Sequence, residues 1–67
     1  MKIILNNRPE EFHADTHTVD DLLRVRNMTF RMRIVKINGV LIDRDKYAST
    51  YISEGDDVQV IYLMSGG

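Results

Sequence analysis

Cysteine is absent from this 67-residue sequence, tryptophan is absent too, and proline occurs once. Without thiols there is no disulfide, no thiolate nucleophile and no thiolate metal site, so the fold must rest on packing alone and secretion is not expected. Net charge is nearly missing as well: nine Lys and Arg stand against ten Asp and Glu, leaving −1. Nucleic-acid binding draws its affinity from neutralised phosphates, and the arginines at 8, 24, 26, 31, 33 and 44 show only a mild cluster between Arg24 and Arg33, so no nucleic-acid partner is expected. Long apolar runs are also lacking. The opening run Ile3-Ile4-Leu5 stops after three residues, short of a signal-peptide core or a membrane span, which points to a cytoplasmic protein with no membrane partner. The four glycines, at 39, 55, 66 and 67, fit neither G-x-x-x-x-G-K nor G-x-G-x-x-G, so no phosphate-cradling loop is available and the chain itself is expected to bind no cofactor.

What is present is the composition of a small folded domain, with 43% hydrophobic and 28% charged residues. Residues 2–6 and 10–14 read as two short strands around a turn at Asn7-Arg8-Pro9. Val19, Leu22, Leu23 and Arg26 fall on one helical face. Thr18 is a good N-cap for that helix, Asp21 a short version of the capping-box acid, and Asn27 a suitable stop. Asn38-Gly39 between Ile34–Ile37 and Val40–Ile42 is a strong hairpin signal, because both central positions of a type I′ turn need positive φ. The segment 43–53 has no clean period and holds a helical turn around residues 44–48. Glu54-Gly55-Asp56 then turns the chain into a last strand over residues 57–63.

This order predicts an α+β fold, a mixed sheet of about five strands packed on one helix. The expected core is Ile3, Leu5, Phe12, Val19, Leu22, Leu23, Val35, Ile37, Val58 and Val60. Strand alternation sends Ile4, Ile34, Ile61 and Leu63 to the opposite face, where no second helix covers them, and such apolar patches mark interaction surfaces.

Catalytic constellations are scarce. His13-Ala14-Asp15-Thr16-His17 places two imidazoles and a carboxylate across a strand end and a loop rather than on one helical face, which suits solvated turn residues better than metal ligands. The acids at 43, 45, 54, 56 and 57 read as turn and surface groups, and pairing two as acid and base would need a hydrophobic cleft that so small a chain lacks the mass to build. Ser49, Thr50 and Ser53 have no histidine at a suggestive position. The remaining feature is Leu63-Met64-Ser65-Gly66-Gly67. Two residues without Cβ make a narrow thread able to deliver a terminal carboxylate into a slot closed to branched residues. From Met64 onward it reaches roughly 13 to 14 Å.

Taken in order, the hairpin-helix-hairpin succession, Asn38-Gly39 followed by Arg44 and Tyr47, Gly55-Asp56 before Val58-x-Val60, and the final Gly66-Gly67 resemble the thiamine-pathway sulfur carrier family, whose members are ubiquitin-like β-grasp domains. The resemblance covers essentially the whole chain. It implies a single domain over 1–67 with residues 64–67 as an extended tail, monomeric when free, and a protein substrate rather than an enzyme. It further implies that the Gly67 carboxylate is adenylated, with ATP, by a ubiquitin-activating-like adenylating enzyme. Sulfur from a persulfide donor such as a cysteine desulfurase then converts it to a thiocarboxylate, which thiazole synthase consumes. In this reading Gly66 keeps the tail slim, Ser65 and Met64 form its root, and the face of Ile4, Ile34, Ile61 and Leu63 docks the partners. The link 27–33 lacks the Gly or Pro usual in the family, and Arg33 stands where an apolar residue is common. Alternatives on the same fold are a sulfur carrier for molybdopterin synthesis, cysteine synthesis or tRNA thiolation, a ubiquitin-like modifier joined to lysines through Gly67, and a plain interaction domain.

Overall fold

The structure, a computed structural model, describes residues 1–29 and 31–63. Five strands, β1 (Lys2–Leu5), β2 (Arg8–Glu11), β3 (Arg33–Ile37), β4 (Val40–Ile42) and β5 (Asp57–Tyr62), form one mixed sheet in the order β2-β1-β5-β3-β4. Among the described residues one α-helix, α1 (Val19–Val25), follows the first hairpin, and a short 3-10 turn spans Arg44–Lys46. This is the β-grasp arrangement that the element order predicts. No helix among the described residues is long and apolar enough to cross a membrane.

The first hairpin turns one step earlier than the sequence reading placed it. Asn6 and Asn7 both adopt positive φ, 51° and 70°, and Leu5 pairs directly with Arg8. Asparagine tolerates the left-handed region that a two-residue turn requires, whereas proline fixes φ near −65° and cannot supply it. Pro9 therefore lies inside β2, opposite Ile4, on an edge strand where a missing N–H is tolerated. The second hairpin forms at Asn38-Gly39 as read, with φ values of 50° and 82°.

The central strand is the last one. β5 runs antiparallel to β3 in the register Ile34↔Ile61, Val35↔Val60, Ile37↔Val58, and parallel to β1 through Ile4↔Asp57 and Leu5↔Val58. Beyond the end of β1 Asn6 continues the ladder, its side-chain Oδ1 accepting the Val60 N–H at 2.8 Å while its backbone N–H donates to the Val58 carbonyl at 2.9 Å. A central strand with two partners leaves few unsatisfied backbone groups.

The ten residues assigned to the core are all buried, and Tyr47 and Ile52 join them. These two come from the segment without a period. It is held by the start of the helix: the Val19 and Asp20 N–H groups donate to the Thr50 and Tyr47 carbonyls at 3.0 and 3.1 Å, and Ile52 N–H donates to His17 O at 2.8 Å. The loop thus satisfies helix-terminal donors and drops two side chains into the core beside Val19, Leu22 and Leu23.

The helix start is a complete capping box. Asp21 N–H donates to Thr18 Oγ1 at 3.1 Å, and Asp21 Oδ2 accepts from the backbone N–H groups of His17 and Thr18 at 3.0 and 3.1 Å. Asn27, at φ 57°, is in the left-handed conformation just past the helix end. The backbone donors of His17 and then Thr18 hold the Asp21 carboxyl below its ordinary value of 3.8. A depressed folded-state value means the stabilisation is complete above 3.8 and is lost as pH falls through the lower, folded-state value. Thr18→Ala is expected to lower unfolding free energy by about 1 kcal/mol at neutral pH. In urea titrations followed by circular dichroism, the deficit of Asp21→Asn relative to the parent should be constant at neutral pH and narrow in the acid range; a pH-independent deficit would show that the carboxylate is not the stabilising form.

Candidate functional site

Met64, Ser65, Gly66 and Gly67, the residues assigned to the tail, lie outside the described residues. What the structure positions is the point from which they follow. The Leu63 N–H donates to the Met32 carbonyl at 2.7 Å, so the β3–β5 register continues one pair past Arg33↔Tyr62. Alternation then puts Met32, Ile34, Ile61 and Leu63 on the face opposite the helix, as two adjacent cross-strand pairs. Met32 is 58% exposed, Leu63 46% and Ile61 39%, while Ile34 is half-buried between its neighbours. Leu41, paired with Lys36 and 55% exposed, lies diagonally across from Ile34 on the same face.

Of the four residues read as a docking face, three are therefore together and the fourth is not. Ile4 is on the same face, but β1 pairs with the start of β5. Its lateral neighbour is Asp57, four positions before Ile61 and about 13 Å along the strand at about 3.3 Å per residue. Gln59 and Lys36, themselves paired, lie on the outer face between the two ends. The residue that completes the apolar group is Met32, which stepping back by two from Ile34 along the strand would have found. Alternation reports which face a residue occupies, but not how far along a neighbouring strand it stands.

The other candidates are occupied structurally or stand apart. His13 and His17 are both exposed, and among the described residues no group of three or more His, Asp or Glu is placed to hold a metal ion. An open depression of about 310 Å³ is lined by Asp15, Thr16, Asp21, Arg24 and Val25. Two of its three charged groups are already engaged: Asp21 caps the helix, and Arg24 bridges Asp21 at 3.0 Å and Asp20 at 3.6 Å. Arg26 lies 4.5 Å over the Phe12 ring and pairs with Glu10 at 2.8 Å, an arrangement that closes the side of the core. The acids before β5 serve its turn: Asp56 accepts from the Ser53 N–H at 2.8 Å and the Asn38 amide at 3.0 Å, and Glu54 accepts from the Lys2 N–H at 3.0 Å.

Arg33 follows β3 alternation to the helix side, where its guanidinium stands 5.3 Å from the centre of the buried Tyr47 ring. The long side chain covers apolar surface while keeping its charged head near the sheet end, which is how an arginine fits where an aliphatic residue is commoner.

The chain resembles several known proteins along nearly all its length. It is 25% identical over 63 residues to the sulfur carrier protein ThiS of Bacillus subtilis (strain 168), covering 94% of this chain and 96% of that one. The crystal structure of a thiamine biosynthesis protein (ThiS) from Geobacter metallireducens superposes with a TM-score of 0.86 at 26% identity, over the full length of both chains. The solution NMR structure of a thiamine biosynthesis protein from the same organism gives 0.79 at 26% identity, over all of this chain and 88% of the other. The ThiS family profile matches residues 3–67, from the first strand through Gly66-Gly67, and the chain belongs to the ThiS family.

Proposed function

We propose that the sulfur this chain carries in thiamine biosynthesis is held on Gly67, as a thiocarboxylate made and used by partner enzymes. The observation that carries this reading is the family match itself, which runs through Gly66-Gly67. The exposed ladder of Met32, Leu63, Ile34 and Ile61 supports it, because it leads directly to the first residue of the tail. The chemistry needs only a carboxylate from this chain. A Gly67 oxygen attacks the α-phosphorus of ATP in an adenylating enzyme of the ubiquitin-activating type, and pyrophosphate leaves. A persulfide from a cysteine-desulfurase type donor then attacks the acyl carbon and expels AMP. Cleavage of the resulting disulfide by a thiol leaves the thiocarboxylate, which thiazole synthase takes as its sulfur source. Glycine at both final positions lets the carbonyl carbon be approached from either face without a Cβ in the way. In this scheme the chain is a protein substrate, and ATP is bound by the partner.

The apolar ladder docks the adenylating enzyme, with Ile34 and Ile61 at its centre and Leu63 and Met32 beside the tail; Ile4 is peripheral to it. Burying such a patch supplies non-directional affinity, while the tail supplies the chemistry.

Mass spectrometry of the chain incubated with ATP, the adenylating enzyme of the same organism and a persulfide donor should show one oxygen exchanged for sulfur at Gly67. Deleting Gly67 should abolish the exchange with the circular dichroism spectrum unchanged. Unaltered mass in a mixture that consumes ATP would overturn the assignment, and an isopeptide bond to lysine would establish a modifier instead. Ile61→Asp should lower kcat/KM for activation by about tenfold or more, with a much smaller loss for Ile4→Asp.

A further inference from the structure

Charge in this nearly neutral chain is separated along β5. At the start of the strand stand Glu54, Asp56 and Asp57, with Lys2 beside them. At the other end, about 17 Å away for six residues, stand Arg31, Arg33 and Arg44. The arginines are gathered by the backbone: the Arg31 carbonyl accepts both the Arg33 N–H, at 3.1 Å, and the Arg44 guanidinium. Arg44 comes from the 3-10 turn and Arg31 from the link before β3, so residues distant in sequence meet beside the Met32–Leu63 pair. Asp43, Asp45 and Lys46 flank the group and leave it at a net +2, against −2 at the opposite end. Arg31 and Arg44 are exposed, and the ion pairs of Arg24 and Arg26 do not involve them. Their charges are thus available to a partner.

We propose that Arg31 and Arg44 form a cationic rim around the apolar ladder, and that the partner docking there is a protein whose apolar socket is bordered by carboxylates. The inference rests on the carrier reading and adds to it the chemistry of the activating partner's surface. A protein is favoured over a nucleic acid because the exposed side chains beside the basic group are mainly aliphatic, Met32, Ile61 and Leu63, with Tyr62 as the exposed aromatic at that strand end, and because the opposite end of the molecule would repel a phosphate backbone. Rim charges act mainly on encounter. With a net charge of only −1, the chain is oriented by the separation of its charges and approaches an acidic socket with the tail end leading.

The test is the salt dependence of activation by the adenylating enzyme of the same organism, read as ATP–pyrophosphate exchange at 20 and 200 mM NaCl as approximate low- and high-screening conditions. The double variant Arg31→Glu/Arg44→Glu should raise KM for the carrier roughly tenfold at low salt with kcat unchanged. The parent's KM should rise with salt and the variant's should not. Lys2→Glu/Arg8→Glu, the same change in net charge at other sites, should behave as the parent, and thermal denaturation of both variants checks that folding is intact. Equal effects of the two double variants, or a parent KM indifferent to salt, would overturn the proposal while leaving the carrier reading in place. Binding of a labelled single-stranded oligonucleotide, lost in Arg31→Glu/Arg44→Glu, would replace the protein partner with a nucleic acid. A parent chain that supports no exchange at all would sink the carrier reading and this inference together.

Discussion

The pairing of β5 with both β1 and β3 is the constraint on which the remainder of the molecule depends. The strand latest in sequence occupies the middle of the sheet, so each hairpin finds its place only by docking on it. Val58 and Val60 bring the two hairpins under one helix, and Asn6 extends the seam where β1 runs out of residues. A chain without disulfides has only such pairings and the core beneath them to oppose chain entropy. The same strand carries Ile61, and the residue after it, Leu63, begins the approach to the tail.

The arrangement divides labour between the two faces of a single sheet. The helix face is closed by Val19, Leu22 and Leu23, with Tyr47 and Ile52 sealing one end. The other face has no covering element among the described residues, and its aliphatic side chains are concentrated at the tail end rather than spread evenly. Charged and amide side chains, Lys36, Gln59 and Asp57, occupy the remainder of β3 and β5 on that face. On the proposed reading the chain supplies a handle and a carboxylate and needs no pocket of its own, which accords with polar groups that are largely committed to caps and turns.

Much of this was legible in the amino-acid order because local chemistry specified it. Asn38-Gly39, Thr18 with Asp21, and Asn27 each announce a backbone geometry that only a few residue types adopt, and each is found there. The first hairpin was displaced because Pro9 is a conspicuous turn former, yet the Asn6-Asn7 pair has the conformational freedom a two-residue turn needs. The burial of Tyr47 and Ile52 has no signature in the periodicity, because it follows from backbone bonds to the helix start. Alternation alone does not separate Ile4 from Ile61, because it carries no information on register between β1 and β5. The meeting of Arg31 with Arg44 is a tertiary fact with no local signal.

The Met32–Leu63 and Ile34–Ile61 pairs have a bearing on quality control. Each joins residues about thirty positions apart, so neither pair exists in a nascent or partly unfolded chain. An enzyme that grips this surface before acting on the tail discriminates by conformation: a misfolded chain, with an identical terminus, presents nothing to hold. On the proposed reading, the sheet would act as a certificate of completed folding, and the partner's ATP would be committed only to molecules that carry it.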